Sequence, residues 1–102
     1  MFVGVGHFEF YIHHANSLKE KRHVIKKLIS QVRNKFNVSC SEVAGGDLWR
    51  RTVIGISIVG NDISFVNSNL DKISNFMESF DLAEMVNHEI EILSYSDGDF
   101  LR

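Results

Sequence analysis

Apolar residues in this 102-residue chain fall into six consecutive segments, and their spacing switches between two fixed periods. Residues 1–13 alternate on a period of two. Phe2, Phe8, Phe10 and Ile12 share one face with Gly4 and Gly6, and Val3, Val5, His7, Glu9 and Tyr11 share the other, as in a strand. Ser17-x-x-Glu20 then matches a capping box, and Leu18, Ile25, Leu28, Ile29, Val32 and Phe36 follow helical spacing to Asn37. Residues 38–43 predict a short strand, Ala44-Gly45-Gly46-Asp47 a turn, and residues 48–59 a β-branched strand with Ile54, Ile56 and Ile58 on one face. Gly60-Asn61-Asp62 ends that strand and caps a second helix, whose stripe is Ile63, Val66, Leu70, Ile73, Met77 and Phe80. Residues 83–93 predict the last strand, with Val86, His88, Ile90 and Ile92 facing one way.

The order β-α-β-β-α-β is the split βαβ pattern of ferredoxin-like α+β folds. Each helix has a single apolar stripe to bury, so both must cover one face of a four-stranded antiparallel sheet, with expected strand order 4-1-3-2. The length fits one domain, assigned to residues 1–95, with residues 96–102 as a loosely held tail. No apolar run approaches the roughly 18 residues of a membrane span, and no signal-peptide pattern opens the chain. The single cysteine, Cys40, excludes an internal disulfide framework, fits a reducing cytoplasm and reads as a buried structural thiol.

Net charge is −2, but its distribution is uneven. Residues 1–60 hold nine Lys and Arg against four Asp and Glu; residues 61–102 hold two against nine. The topology brings three segments of the basic part to one end of the sheet: Tyr11–His14, Ser17–Arg22 (SLKEKR) and Gly45–Arg51 (GGDLWRR). The helix start is the telling one. Its free N–H groups favour anions, yet Lys19, Lys21 and Arg22 lie there. Lys19, Arg22, Lys26 and Arg33 fall on one flank within about 60°. Lys21 points into the apolar arc, with Glu42 as its nearest expected partner. Two readings stand: these cations bind an anion together with backbone N–H groups, or they form internal ion pairs. Trp49 has the same two sides, stacking on a base beside Arg50 and Arg51 or closing the end of the core.

Other chemistries find little support. The sheet face away from the helices carries Glu9, Glu89 and Glu91, which repel a phosphate backbone, so it is no RNA-recognition platform. Its valines predict burial against another subunit, a homodimer or higher homo-oligomer. The five histidines show no zinc spacing, and no nucleotide-binding or hydrolase motif is present. Acylphosphatase shares the topology, but its glycine-rich cradle is replaced here by His13-His14-Ala15-Asn16. No catalytic residue, metal or cofactor is expected.

Taken together, MFVGV, SLKEKR, FNVSCSEV, DLWRR, IVGND and EIEIL resemble the YlxP-like family of small bacterial proteins, a domain-of-unknown-function family, over residues 1–93. The matching signature positions are Ser17, Leu18, Lys19, Glu20, Lys21, Arg22, Glu42, Asp47, Leu48 and Trp49. The resemblance implies a ferredoxin-like fold. It also implies gene neighbourhoods with translation initiation and ribosome-maturation factors, and so a ribosome-associated role, and it carries over no catalytic residue or cofactor. The expectation is a cytoplasmic accessory protein that docks on RNA or a ribosomal particle through Lys19, Lys21, Arg22, Lys26, Arg33, Trp49, Arg50 and Arg51. The alternative is a non-enzymatic protein–protein module that self-associates through the open sheet face.

Overall fold

A computed structural model describes residues 1–100. Its elements are β1 (Phe2–Tyr11), α1 (Leu18–Lys35), β2 (Ser39–Ala44), β3 (Arg51–Gly60), α2 (Ile63–Glu78) and β4 (Glu84–Ser94). The sheet is fully antiparallel in the order β2-β3-β1-β4, the expected ferredoxin-like α+β arrangement. Of the tail expected at residues 96–102, Arg102 and Leu101 lie outside the described residues. Its described part is tied to the start of β1, where the Met1 ammonium donates to Asp97 Oδ1 at 3.1 Å.

Local chemistry sets where each helix begins. Ser17 has an extended backbone, and its Oγ accepts from the Glu20 N–H at 3.1 Å. The Glu20 carboxylate reaches back one residue further than a capping box predicts, to the Asn16 N–H. Asp62 caps α2 by accepting from the Ser64 N–H at 2.9 Å. Phe8, Phe10, Ile54, Leu28, Val32, Leu70, Ile73 and Met77 are buried between the sheet and both helices. Each such side chain contributes roughly 1.5–3 kcal/mol relative to exposure. Gly4 lets α2 approach β1: a Cβ there would lie 2.9 Å from both Ile58 and Val66.

Two expectations need correction. First, β4 carries a bulge. Glu9 pairs with Asn87 but Phe10 with Met85, so Val86 is skipped. A bulge reverses the alternation beyond it. Met85 therefore packs against the core with Ile92, while Val86 is exposed. Second, residues 48–50 are not part of β3. The paired part of β2 ends at Ala44, opposite Val53, so residues 48–50 have no ladder partner. They form a bend instead, with the Leu48 N–H donating to Gly45 O at 3.0 Å.

Candidate nucleic-acid interface

The end of the sheet where β1 leaves and β2 turns into β3 is held by hydrogen bonds that involve all three expected segments. The Ile12 N–H donates to the Arg50 carbonyl at 2.8 Å. Arg50 returns the link: its Nε donates to Ala15 O at 2.9 Å and its Nη2 to Asn16 Oδ1 at 3.2 Å. Lys21 crosses from α1 to the hairpin and is 1% exposed. Its Nζ donates to the carbonyls of Gly45 and Gly46 and lies 3.2 Å from Glu42 Oε2. Glu42 also accepts from Thr52 Oγ1 at 2.6 Å. Gly45 has φ +82°, and a Cβ there would come within 3.0 Å of Arg51 O, so this turn requires glycine.

These bonds divide the eight predicted site residues. Lys21 is internal: its charge is used by Glu42 and two carbonyls, so it is withdrawn as a ligand. Arg50 serves the loop after β1. Arg33 donates to Cys40 O at 2.6 Å and fastens α1 to β2. Arg51 pairs with Glu9 on the open face. Trp49 does not close the core; it is 54% exposed, beside Leu48 at 53%. Lys19, Arg22 and Lys26 are exposed and form no ion pair among the described residues.

Lys27 and His23 are likewise exposed and form no ion pair among the described residues. With Lys26, Arg33 and Asn34 they line a broad surface depression along α1 and β2, about 730 Å³ in volume. The signal was legible: Lys19, His23 and Lys27 are spaced by four and form one row of a helix. On the other flank, a groove of about 650 Å³ separates the start of α1 from Asp81 and Leu82. Ile12, Ala15 and Val24 line it, with His14, Lys19 and His23 also contributing.

Electrostatics follow strand order. α1 and β2, with the loop between them, carry seven Lys and Arg against two Asp and Glu. Residues 63–94, covering α2 and β4, carry one against six. α1 packs on β2, and α2 on β1 and β4, so the asymmetry along the chain becomes one across the sheet. Burial pushes the Cys40 thiol pKa up, only partly opposed by the Arg33 guanidinium. Among the described residues no group of three His, Cys, Asp or Glu is placed to hold a metal ion. No buried side-chain nitrogen or oxygen there lacks a hydrogen-bond partner.

The family described as "Protein of unknown function (DUF503)" matches residues 3–90. The chain belongs to the DUF503 family. Its relatives include the "Uncharacterized protein YlxP" of Bacillus subtilis (strain 168), 41% identical over 78 residues, which cover 76% of this chain and 85% of the relative. The matched residues include all three segments that meet at the shared end, 11–14, 17–22 and 45–51. Among solved structures, the "De novo designed protein Foldit4" superposes with a TM-score of 0.52 at 13% identity, covering 94% of this chain and 100% of that one. At that identity the likeness concerns the fold alone.

Proposed function

We propose that this DUF503 chain is a cytoplasmic, non-enzymatic accessory protein that docks on RNA, in the setting of translation or ribosome maturation. The observation that carries the reading is a group of exposed α1 cations that form no ion pair among the described residues. Lys19, Arg22, Lys26 and Lys27 lie on the exposed side of α1, while Lys21, Arg33, Arg50 and Arg51 have internal partners. Phosphate contacts need cations that are free and clustered, and acidic residues are gathered at the opposite edge of the sheet. The test is binding to ribosomal RNA or small-subunit particles as a function of salt. Affinity falls steeply with salt for the unmodified chain. In Lys19→Ala/Arg22→Ala the slope of log K against log salt flattens by roughly 1.4–1.8, at about 0.7–0.9 per phosphate contact. Absence of binding at low salt, or an unchanged slope in the double variant, contradicts the reading.

A second reading rests on a separate observation. The open sheet face carries Val3, Val5, Val53 and the exposed Val43, Val59 and Leu93, beside Glu89 and Glu91, which form no ion pair among the described residues. A face of this kind suits self-association, the alternative role as a protein–protein module. A pull-down partner that survives nuclease treatment favours this role; a monomeric mass at micromolar concentration counts against self-association.

A further inference from the structure

Leu48 and Trp49 are more than half exposed, yet the turn that presents them is tied to α1 and to the loop after β1 by side-chain hydrogen bonds. Lys21 holds the Gly45 and Gly46 carbonyls on one side, and Arg50 holds Ala15 and Asn16 on the other. A flexible loop could fold its apolar tip inward. This one is clamped so that its tip stays outward, and a large apolar surface held in water is a contact waiting for a partner.

The chemistry of the surroundings selects the partner. Lys21 anchors the tip directly to the first turn of α1, where Lys19 and Arg22 form no ion pair among the described residues. Asp47, also exposed, sits two residues before Trp49 and disfavours a phosphate at the tip itself. Phosphates therefore belong on α1 and an uncharged planar group on Trp49. Single-stranded nucleic acid offers this pair of features, because its bases are free to stack on an aromatic side chain while its backbone follows cations. Duplex RNA keeps its bases stacked within the helix and presents mainly phosphate and ribose.

We infer that Leu48–Trp49 is a stacking platform for an unpaired base, which directs this protein to single-stranded or looped RNA rather than to duplex. The inference rests on the RNA-docking reading above and goes beyond it in naming the class of RNA and the group that recognises it. Trp49 is the only tryptophan in the chain, so intrinsic fluorescence reports on this position alone.

The experiment titrates the whole chain with a single-stranded oligoribonucleotide and with a blunt RNA duplex. Tryptophan emission and the anisotropy of labelled RNA are followed together. Stacking quenches Trp49 in step with the anisotropy rise for the single strand, and the duplex binds more weakly without quenching. Trp49→Phe keeps single-strand affinity within a few-fold. Trp49→Ala lowers it roughly 5- to 150-fold, the range of one base–aromatic stack, while its salt slope stays that of the unmodified chain. Salt-dependent RNA binding with unchanged emission, or equal affinity for single strand and duplex, overturns the inference and leaves the docking reading standing. No anisotropy change with any RNA at low salt overturns both. Nuclease-resistant binding to small-subunit particles that is lost in Trp49→Ala assigns the tip to a protein and overturns the base assignment. The fluorescence arm needs no variant, so it decides even if Trp49→Ala folds poorly.

Discussion

Lys21 shows how one residue can be misread and read correctly at once. On a helical wheel it points inward, and Glu42 was the natural partner; both hold in the structure, at 3.2 Å. Its bonds to Gly45 and Gly46 were not legible, because they depend on a left-handed turn that only the folded hairpin creates. Replacing Lys21 with Met leaves Glu42 partly buried without its cation and frees two carbonyls. Urea denaturation should show a loss of about 3 kcal/mol, in the range for breaking a buried pair from one side. Lys21→Met/Glu42→Leu should recover part of that loss, since no orphan charge remains. Cys40 gives a second test at this scale. Its pKa is raised by burial, so the neutral thiol is favoured in the folded state. Its contribution to stability is present below the ordinary value of 9.0 and is lost as pH rises through the raised folded value. Thiol-reactive reagents should label the native chain at neutral pH far more slowly than the urea-unfolded chain. Equal rates would show that the site is open.

Among the elements, periodicity located both helices and all four strands, because each needs an apolar face and spacing reveals it. The pattern failed where the backbone departs from regular pairing. Nothing in Met85-Val86-Asn87 announces a bulge; the skipped residue follows from registering β4 on β1 past Glu9. The bulge makes opposite predictions for adjacent residues. Val86→Lys should change stability by no more than about 0.5 kcal/mol. Met85→Lys should lose roughly 2–3 kcal/mol by forcing a cation toward the core, and thermal denaturation of the two variants distinguishes them. Without the bulge the order would reverse. Gly4→Ala tests the contact between β1 and α2, where the added methyl meets Ile58, Val66 and Leu70. Overpacking of this kind costs about 1–3 kcal/mol.

Across the whole molecule, the charge split along the chain could be counted directly in the sequence, but its direction in space could not. Strand order converts it, placing α1 with the edge strand β2 and α2 with β1 and the opposite edge strand β4. The same distribution separates two modes of self-association. Copies joined through the valine-rich open face should stay joined in high salt, because apolar burial is insensitive to screening. Copies joined by the basic edge of one and the acidic edge of the next should dissociate. Sedimentation at low and high salt tells them apart. The central claim is narrower: only the cations that folding leaves unpaired carry RNA docking. The most direct measurement compares salt slopes of RNA binding for Lys19→Ala/Arg22→Ala and for Arg51→Ala, whose arginine is already paired with Glu9. The account predicts a flattened slope in the first variant and a slope matching the unmodified chain in the second. Equal flattening in both, or none in either, would contradict it.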